Sequence, residues 1–176
     1  MAIHNEQDFI VESINSILIQ DYQNFELIII DDGSIDDTSK LVNNFLKDKR
    51  ITYINNGKIG KVEAFNIGYK MSKKNFICFF HGDDIMRKKG IISRFNYIKG
   101  INDIPVAVAG KLETKSTIKA YNSIIIPKGK RASFSGQSIM FNRKLADKIF
   151  PIPKDLPNED YWMRLHIECF AKKIFH

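Results

Sequence analysis

The chain has 176 residues, of which 44% are apolar and 27% charged, a globular balance with enough length for one domain and a core of its own. No apolar run approaches the ~20 residues that span a bilayer, so no transmembrane helix is expected. The first residues, Met1 to Glu6, lack a basic stretch followed by an apolar one, so no signal peptide is expected and the cytoplasm is the default location. The net charge is +7, with basic clusters at Lys70–Lys74, Arg87–Lys89 and Lys128–Arg131. Such a surface attracts anionic lipid, nucleic acid or a phosphorylated substrate. No recognition helix, zinc spacing or aromatic RNA platform accompanies it, so nucleic acid is not an expected partner. Cys78 and Cys169 read as reduced core residues rather than a disulfide framework or a metal site.

In chain order, residues 8–20 place Ile10, Ile14, Ile17 and Leu18 on one face, which predicts a helix. Leu27–Ile30 is a continuous apolar run rich in β-branched residues, as expected of a strand buried on both faces. It ends in the turn Asp31-Asp32-Gly33-Ser34. Ser34 to Thr38 can cap the next helix, whose inner face would carry Leu41, Val42 and Phe45. Ile51–Ile54 predicts a second strand, Lys61–Met71 a helix, and Phe76–Phe80 a third strand ending at His81-Gly82-Asp83-Asp84. Residues 88–99 predict a helix with Ile91, Ile92, Phe95 and Ile98 inward. Val106–Leu112, Ile118–Ile126 and Ser138–Phe141 are further strand candidates, and Arg143–Ile149 is a short helix. Pro151, Pro153 and Pro157 break the chain before a last helix from about Asn158, which carries His166 and His176 as structural or incidental residues. This alternation argues for βα units and a mainly parallel sheet.

Two of these strands end in paired acids, Asp31-Asp32 and Asp83-Asp84. In open parallel sheets, ligands bind just beyond the carboxyl ends of the strands. If the two strands are neighbours, both acidic turns line one crevice. That geometry suits a ribose hydroxyl, a base N–H, or a divalent cation carrying a diphosphate. Each residue also has a plainer reading. Asp36, Asp37 and Thr38 are helix-start residues rather than ligands. Glu159-Asp160 alone is a helix N-terminal pair, Asp83 alone a turn residue, and Lys61 a solvated helix start. Asn66 and Gly68 serve packing and turn geometry.

The motifs taken together resemble glycosyltransferase family 2, the inverting enzymes of the GT-A fold. Gln20 to Thr38, containing Leu27-Ile28-Ile29-Ile30-Asp31-Asp32-Gly33-Ser34, carries the closest resemblance. Gly60-Lys61-Val62-Glu63-Ala64-Phe65-Asn66-Ile67-Gly68 is similar to the family's G-K-x-x-A-x-N-x-G segment. His81-Gly82-Asp83-Asp84 falls where the family has D-x-D-D. Gly136 to Phe141 resembles the strand before the acceptor region, and Asn158 to Leu165 the E-D motif followed by an Arg. Each motif alone is weak; their order along the chain is specific.

The resemblance implies an α/β GT-A domain over residues 1–176. It implies transfer of a sugar from a nucleotide donor, a UDP-sugar first, to a glycan or lipid-linked acceptor with inversion. The setting would be bacterial cell-surface polysaccharide synthesis, with Mg²⁺ or Mn²⁺ as cofactor. Carried over position by position, Asp31 and Asp32 would face the nucleoside, with Lys61 and His81 near the nucleotide. Asp83 would ligate the metal and the donor, and Asp84 would support it. Asp160 would be the general base, with Glu159 beside it. The basic surface would then allow peripheral contact with the inner face of an anionic membrane. The chain departs from the pattern in three places. The family opens with an apolar strand, and here only Ile3 to Ile10 matches the end of that opening. The chain stops soon after the E-D helix. The first acid of D-x-D is His81, whose imidazole can accept a ribose hydrogen bond or ligate Mn²⁺ but weakens a hard Mg²⁺ site. The alternative is therefore a nucleotide-binding remnant with little or no transferase activity. A nucleotidyltransferase is a third reading that would not need the E-D helix.

Overall fold

The computed structural model of the chain describes residues 1–113, 122–126, 136–156 and 159–175. Strand β1 (Ala2–Ile3) and helix α1 (Ile10–Leu18) lead into β2 (Leu27–Asp31), then α2 (Thr38–Asn43), β3 (Ile51–Asn55) and α3 (Lys61–Met71). Strand β4 (Phe76–Cys78) and α4 (Gly90–Ile98) follow, with β5 (Val106–Ala109), β6 (Leu112–Glu113) and β7 (Ile125–Ile126). The chain continues through β8 (Ile139–Asn142), α5 (Arg143–Ile149), α6 (Glu159–Phe170) and β9 (Lys172–Phe175).

β2 pairs in parallel with β1 on one side and β3 on the other. On its far side Ala2 forms a parallel bridge to His81, and its N–H donates to Phe80 O at 3.2 Å. That bridge joins the parallel half to the order β4-β8-β5-β9. There β8 runs antiparallel to both β4 and β5, and β9 adds in parallel to β5. The sheet is thus parallel around the two acidic strand ends and mixed beyond them.

Because successive strand residues face opposite sides, each strand feeds two cores. Ala2, Ile30, Phe79 and Phe141 pack with Ala64 and Phe65 of α3, Leu145 and Ile149 of α5, and Met163 and Ile167 of α6. On the opposite face Ile3, Leu27 and Ile29 meet Ile10, Ile14 and Ile17 of α1 and Val42 of α2. Val106, Val108 and Met140 meet Ile98 of α4 there. Both faces of β2 are covered, which is why its apolar run is continuous.

Several expectations are refined by this packing. The helix after β2 starts at Thr38, where Asp36 Oδ1 accepts the N–H of Thr38 (3.0 Å); Ser34 instead accepts from Asn5 N–H (3.0 Å). The strand expected over Ile118–Ile126 lies partly outside the described residues, and its described end is β7, paired with β6. Lys128–Arg131 and His176 also lie outside them. Arg94, not foreseen as inward, is buried on α4, while Ile91, Ile92 and Phe95 are half-buried. Cys169 is exposed rather than in the core, because α6 turns that face outward; both cysteines are free thiols. Among the described residues no helix is long and apolar enough to cross a membrane.

The Met1 amine, on a half-buried residue, donates to Ile28 O at 2.7 Å; burial pushes its pKa down to about 5 from 8.0. Between those values the unfolded chain holds a proton that the folded chain has shed, so stability rises with pH across this window. Unfolding by urea at pH 5 and pH 8 should show the amine's contribution, on the order of 3 kcal/mol in favour of pH 8. An N-terminally acetylated protein should lack that part of the slope; an unchanged slope would assign it to other groups.

Candidate active site

The turn after β2 is built by its two acids. Asp31 is fully buried, and its carboxylate accepts from Ser34 N–H, Ser39 Oγ–H and Tyr53 O–H, each at 2.8 Å. Those donors supply what water would give a buried carboxylate. Asp32 Oδ1 accepts the N–H groups of Ile59 and Gly60, each at 2.6 Å, and so fixes the loop that starts α3. Gly33 has φ +72°, and a Cβ there would lie 2.7 Å from Lys58 N, so only glycine fits the turn.

A cleft of about 390 Å³ opens beyond the carboxyl ends of β1, β2 and β4. Its polar lining comprises His4, Glu6, Asp32, Lys61, His81, Asp83 and Asp84. The two acidic turns therefore share one crevice, but through Asp32 and the β4 turn, while Asp31 lies beneath. Asp83 is exposed to the cleft. Asp84 Oδ2 faces the backbone N–H (3.2 Å) and ring Nδ1 (3.3 Å) of His81. His81 also sets its ring edge on Phe65, with centroids 5.4 Å apart. Its Nε2 is buried without a hydrogen-bond partner among the described residues.

Glu6 is a member of this site that the motifs did not single out. Burial, then the negative charge of Asp83, hold its carboxyl above the usual carboxylate range; Asp36 and Asp84 add to this and His81 opposes it. Gly82 explains the proximity, since a Cβ there would sit 2.6 Å from Glu6 Cγ. The only sequence signal for Glu6 was its place in the segment that follows β1.

The start of α6 approaches the cleft through Lys61. Glu159 is buried, and its Oε1 meets Lys61 Nζ at 2.5 Å. Asp160 Oδ1 accepts the N–H of Gly136 at 3.0 Å. A Cβ on Gly136 would lie 3.5 Å from Asp160 Oδ1 and 3.7 Å from His81 Cε1. Asp160 and His81 therefore flank the same glycine. Lys61 lines the cleft as expected, yet its ammonium is engaged by Glu159.

Among the described residues no three His, Cys, Asp or Glu side chains converge to cage a metal alone. The donors fit a cation that is only partly protein-held: an exposed carboxylate on Asp83, in a cleft where negative charge already raises Glu6. Remaining positions would fall to phosphate oxygens and water.

Removing Lys61 leaves the Glu159 carboxylate buried without its counter-ion. Lys61→Met should lower thermal stability, and adding Glu159→Gln should recover part of the loss. The double-mutant cycle should give a coupling of about 0.5–3 kcal/mol, and strict additivity would show that the pair does not hold α6.

Comparison with known proteins places this geometry. The pattern of Glycosyl transferase family 2 matches residues 1–151. An uncharacterized glycosyltransferase of Rickettsia felis is 38% identical over 104 residues, covering 59% of this chain and 17% of that protein. The Escherichia coli UDP-Glc:alpha-D-GlcNAc-diphosphoundecaprenol beta-1,3-glucosyltransferase WfaP is 35% identical over 100 residues, 56% of this chain and 39% of its own. The chain thus spans well under half of these curated relatives. Staphylococcus aureus TarS 1-349 in complex with UDP-GlcNAc superposes with a TM-score of 0.77 at 16% identity, over 98% of this chain and 55% of that one. The mannosyltransferase PcManGT of Pyrobaculum calidifontis, in complex with GDP-Man and Mn²⁺, gives 0.74 at 18% identity over 99% and 53%. These neighbours share the GT-A fold. With the family pattern running from the central strand through α5, the chain belongs to Glycosyl transferase family 2.

Proposed function

We propose that this domain transfers a sugar from a nucleoside-diphosphate donor to a hydroxyl acceptor with inversion at the anomeric carbon. The observation that carries this reading is the approach of the β4 acidic turn and the start of α6 at Gly136, which sets Asp160 near His81, a residue that lines the cleft. A donor corner and a carboxylate on a different element are the two parts that inversion requires.

In this reading Asp32, Lys61 and His81 line the wall against the donor, and Asp83 holds a divalent cation with the diphosphate. When bound, that cation neutralises charge on the leaving diphosphate. Asp160 takes the proton of the acceptor hydroxyl as its oxygen bonds to the anomeric carbon. The bond from that carbon to the diphosphate breaks, and its electron pair leaves with the nucleotide. Glu159, tied to Lys61, sets the first turn of α6 so that Asp160 is presented at the right depth. His81 stands where a third acid would add charge, so a softer ion such as Mn²⁺ suits the site better than Mg²⁺.

The acceptor is a cell-surface glycan or its lipid-linked precursor. WfaP, named for transfer to a diphosphoundecaprenol-linked sugar, supports this choice, as does UDP-GlcNAc in TarS for a UDP-sugar donor. A net charge of +7 would favour peripheral contact with an anionic membrane at the cytoplasmic face.

Differential scanning fluorimetry with UDP, GDP and dTDP tests donor binding. One of them should raise Tm by about 5–10 °C at a hundredfold excess over Kd, only with Mn²⁺ or Mg²⁺ present, and Asp83→Ala should remove the shift. No shift with any nucleotide would sink the reading. Asp160→Asn should keep the shift yet lower donor hydrolysis or transfer by ~10²–10⁴-fold. Binding with no turnover in the parent protein would favour the remnant.

A further inference from the structure

The sheet gives the domain two unlike ends. Strands β2, β3, β4, β5 and β9 all start at one edge, and antiparallel β8 ends there. The cleft lies at the other edge, where Glu6, Asp32 and Asp83 gather. In the order β3-β2-β1-β4-β8-β5-β9, the starting edge is about 29 Å wide at ~4.8 Å per strand.

The turns along this starting edge hold cations with nothing to pair with. Lys47 and Lys49 precede β3, Lys73 precedes β4, Lys144 follows β8 and Lys172 opens β9. All five are exposed, and among the described residues no carboxylate meets their ammonium groups. The acids of these turns are largely engaged. Asp48 pairs with Arg50 at 2.5 Å, and Glu26 Oε1 accepts the N–H groups of Lys73 (2.6 Å) and Lys74 (2.9 Å). Asp21 meets Lys88 at 3.6 Å, which leaves Asp103. The arginines are committed too: Arg50 to Asp48, and Arg143 to Ser72 Oγ and Ser72 O, each at 3.1 Å. Single apolar side chains stand exposed among the lysines: Leu46 next to Lys47, Ile104 before β5 and Phe170 at the end of α6.

We propose that this starting edge is the surface by which the domain lies on an anionic bilayer, with the cleft held on the far side. It gives a location to the membrane contact of the transferase reading, on which it builds. Lysine meets a lipid phosphate as a mobile point charge, whereas nucleic-acid and carboxylate partners draw on the forked geometry of arginine. Lysine is also depleted from protein interfaces. Here the free cations are lysines and the arginines are tied down. The apolar side chains between them can enter the headgroup layer, the combination of charge and shallow burial that holds peripheral segments to a bilayer. An acidic polymer offers those side chains nothing. Each lysine near an anionic surface is worth about fivefold in partitioning. β2 runs five residues from this edge to the acidic turn, so the cleft stands at least ~17 Å from the headgroups and opens toward soluble nucleotide.

Co-sedimentation with vesicles tests this. In about 0.1 M salt the protein should bind phosphatidylcholine vesicles that contain about a third phosphatidylglycerol, and not pure phosphatidylcholine, and added salt should weaken binding steeply. Replacing Lys47, Lys49, Lys73 and Lys144 by Gln should lower the partition coefficient at least ~100-fold. Removing the same charge from the cleft side, at Lys40, Lys58, Lys111 and Lys154, should lower it less than about fivefold, because those positions lie beyond a Debye length from the lipid. Leu46→Ser with Ile104→Ser should weaken binding about tenfold. On bound protein, hydrogen exchange should slow at residues 44–50 and 99–105 and stay unchanged at 32–37. Equal losses from the two lysine sets would reduce the contact to net charge and overturn the edge. Duplex DNA or polyglutamate that binds as tightly as the vesicles, with no loss in the Leu46/Ile104 variant, would assign the edge to an acidic macromolecule and overturn the bilayer. All these substitutions alter exposed side chains, and unchanged melting temperatures check the fold. The vesicles carry no nucleotide, metal or acceptor, so failure here leaves the transferase reading standing, and failure of donor binding leaves vesicle binding standing.

Discussion

Two residues weld the halves of this sheet together. Ala2 and Ile3 pair with β2 along one edge, while the other edge touches β4 through one bridge at His81. So slight a seam must be braced by side chains, and Phe65 does much of this. From the inward face of α3 its ring meets Phe79 at 4.6 Å and His81 at 5.4 Å. One aromatic residue of α3 therefore holds both the strand and the turn that faces the cleft. Aromatic pairs of this kind are worth about 0.5–1.5 kcal/mol beyond their burial, comparable to a backbone hydrogen bond.

The acids of the cleft come in adjacent pairs, and in each pair the work is divided. Asp31 is closed in by three donors, and Asp32 lines the crevice while holding the start of α3. Asp84 turns back to brace His81, and Asp83 faces the cleft. Glu159 is buried against Lys61, and Asp160 reaches the glycine that His81 also touches. An acid that is buried and bonded supplies rigidity; its neighbour in sequence is thereby carried to the surface of the site. Packing two carboxylates into one turn is costly unless one is neutralised by local donors, and here the backbone and a lysine provide that neutralisation.

This division explains what could be read from sequence. Local periodicity was enough for α1, whose expected inward residues Ile10, Ile14 and Ile17 are buried. The order of the motifs was enough for the family and the fold. Strand β9 was not legible, because Lys172-Lys173-Ile174-Phe175 shows no alternation and is a strand only by its pairing with β5. Arg94 was hidden for the same reason: a charged residue on a helix reads as outward until the neighbouring backbone is in place. Asp31 and Asp32 were indistinguishable as letters, and Ser39 and Tyr53, far along the chain, decide between them. Glu6 was hard to single out because its perturbation comes from burial and then from Asp83, over seventy positions away.

The segment after β1 and the turn after β2 are clasped to each other. Asn5 N–H donates to Ser34 Oγ (3.0 Å), Ile35 N–H to Asn5 Oδ1 (2.9 Å), Glu6 N–H to Thr38 Oγ1 (2.7 Å), and Gln7 N–H to Asp36 Oδ2 (3.2 Å). Two stretches some thirty residues apart behave mechanically as one part. Anyone grafting a different turn after β2 onto this scaffold would have to transplant both strips together, because a foreign turn would leave the other strip's amides with no acceptor. Variation in the one is permitted only through matched variation in the other.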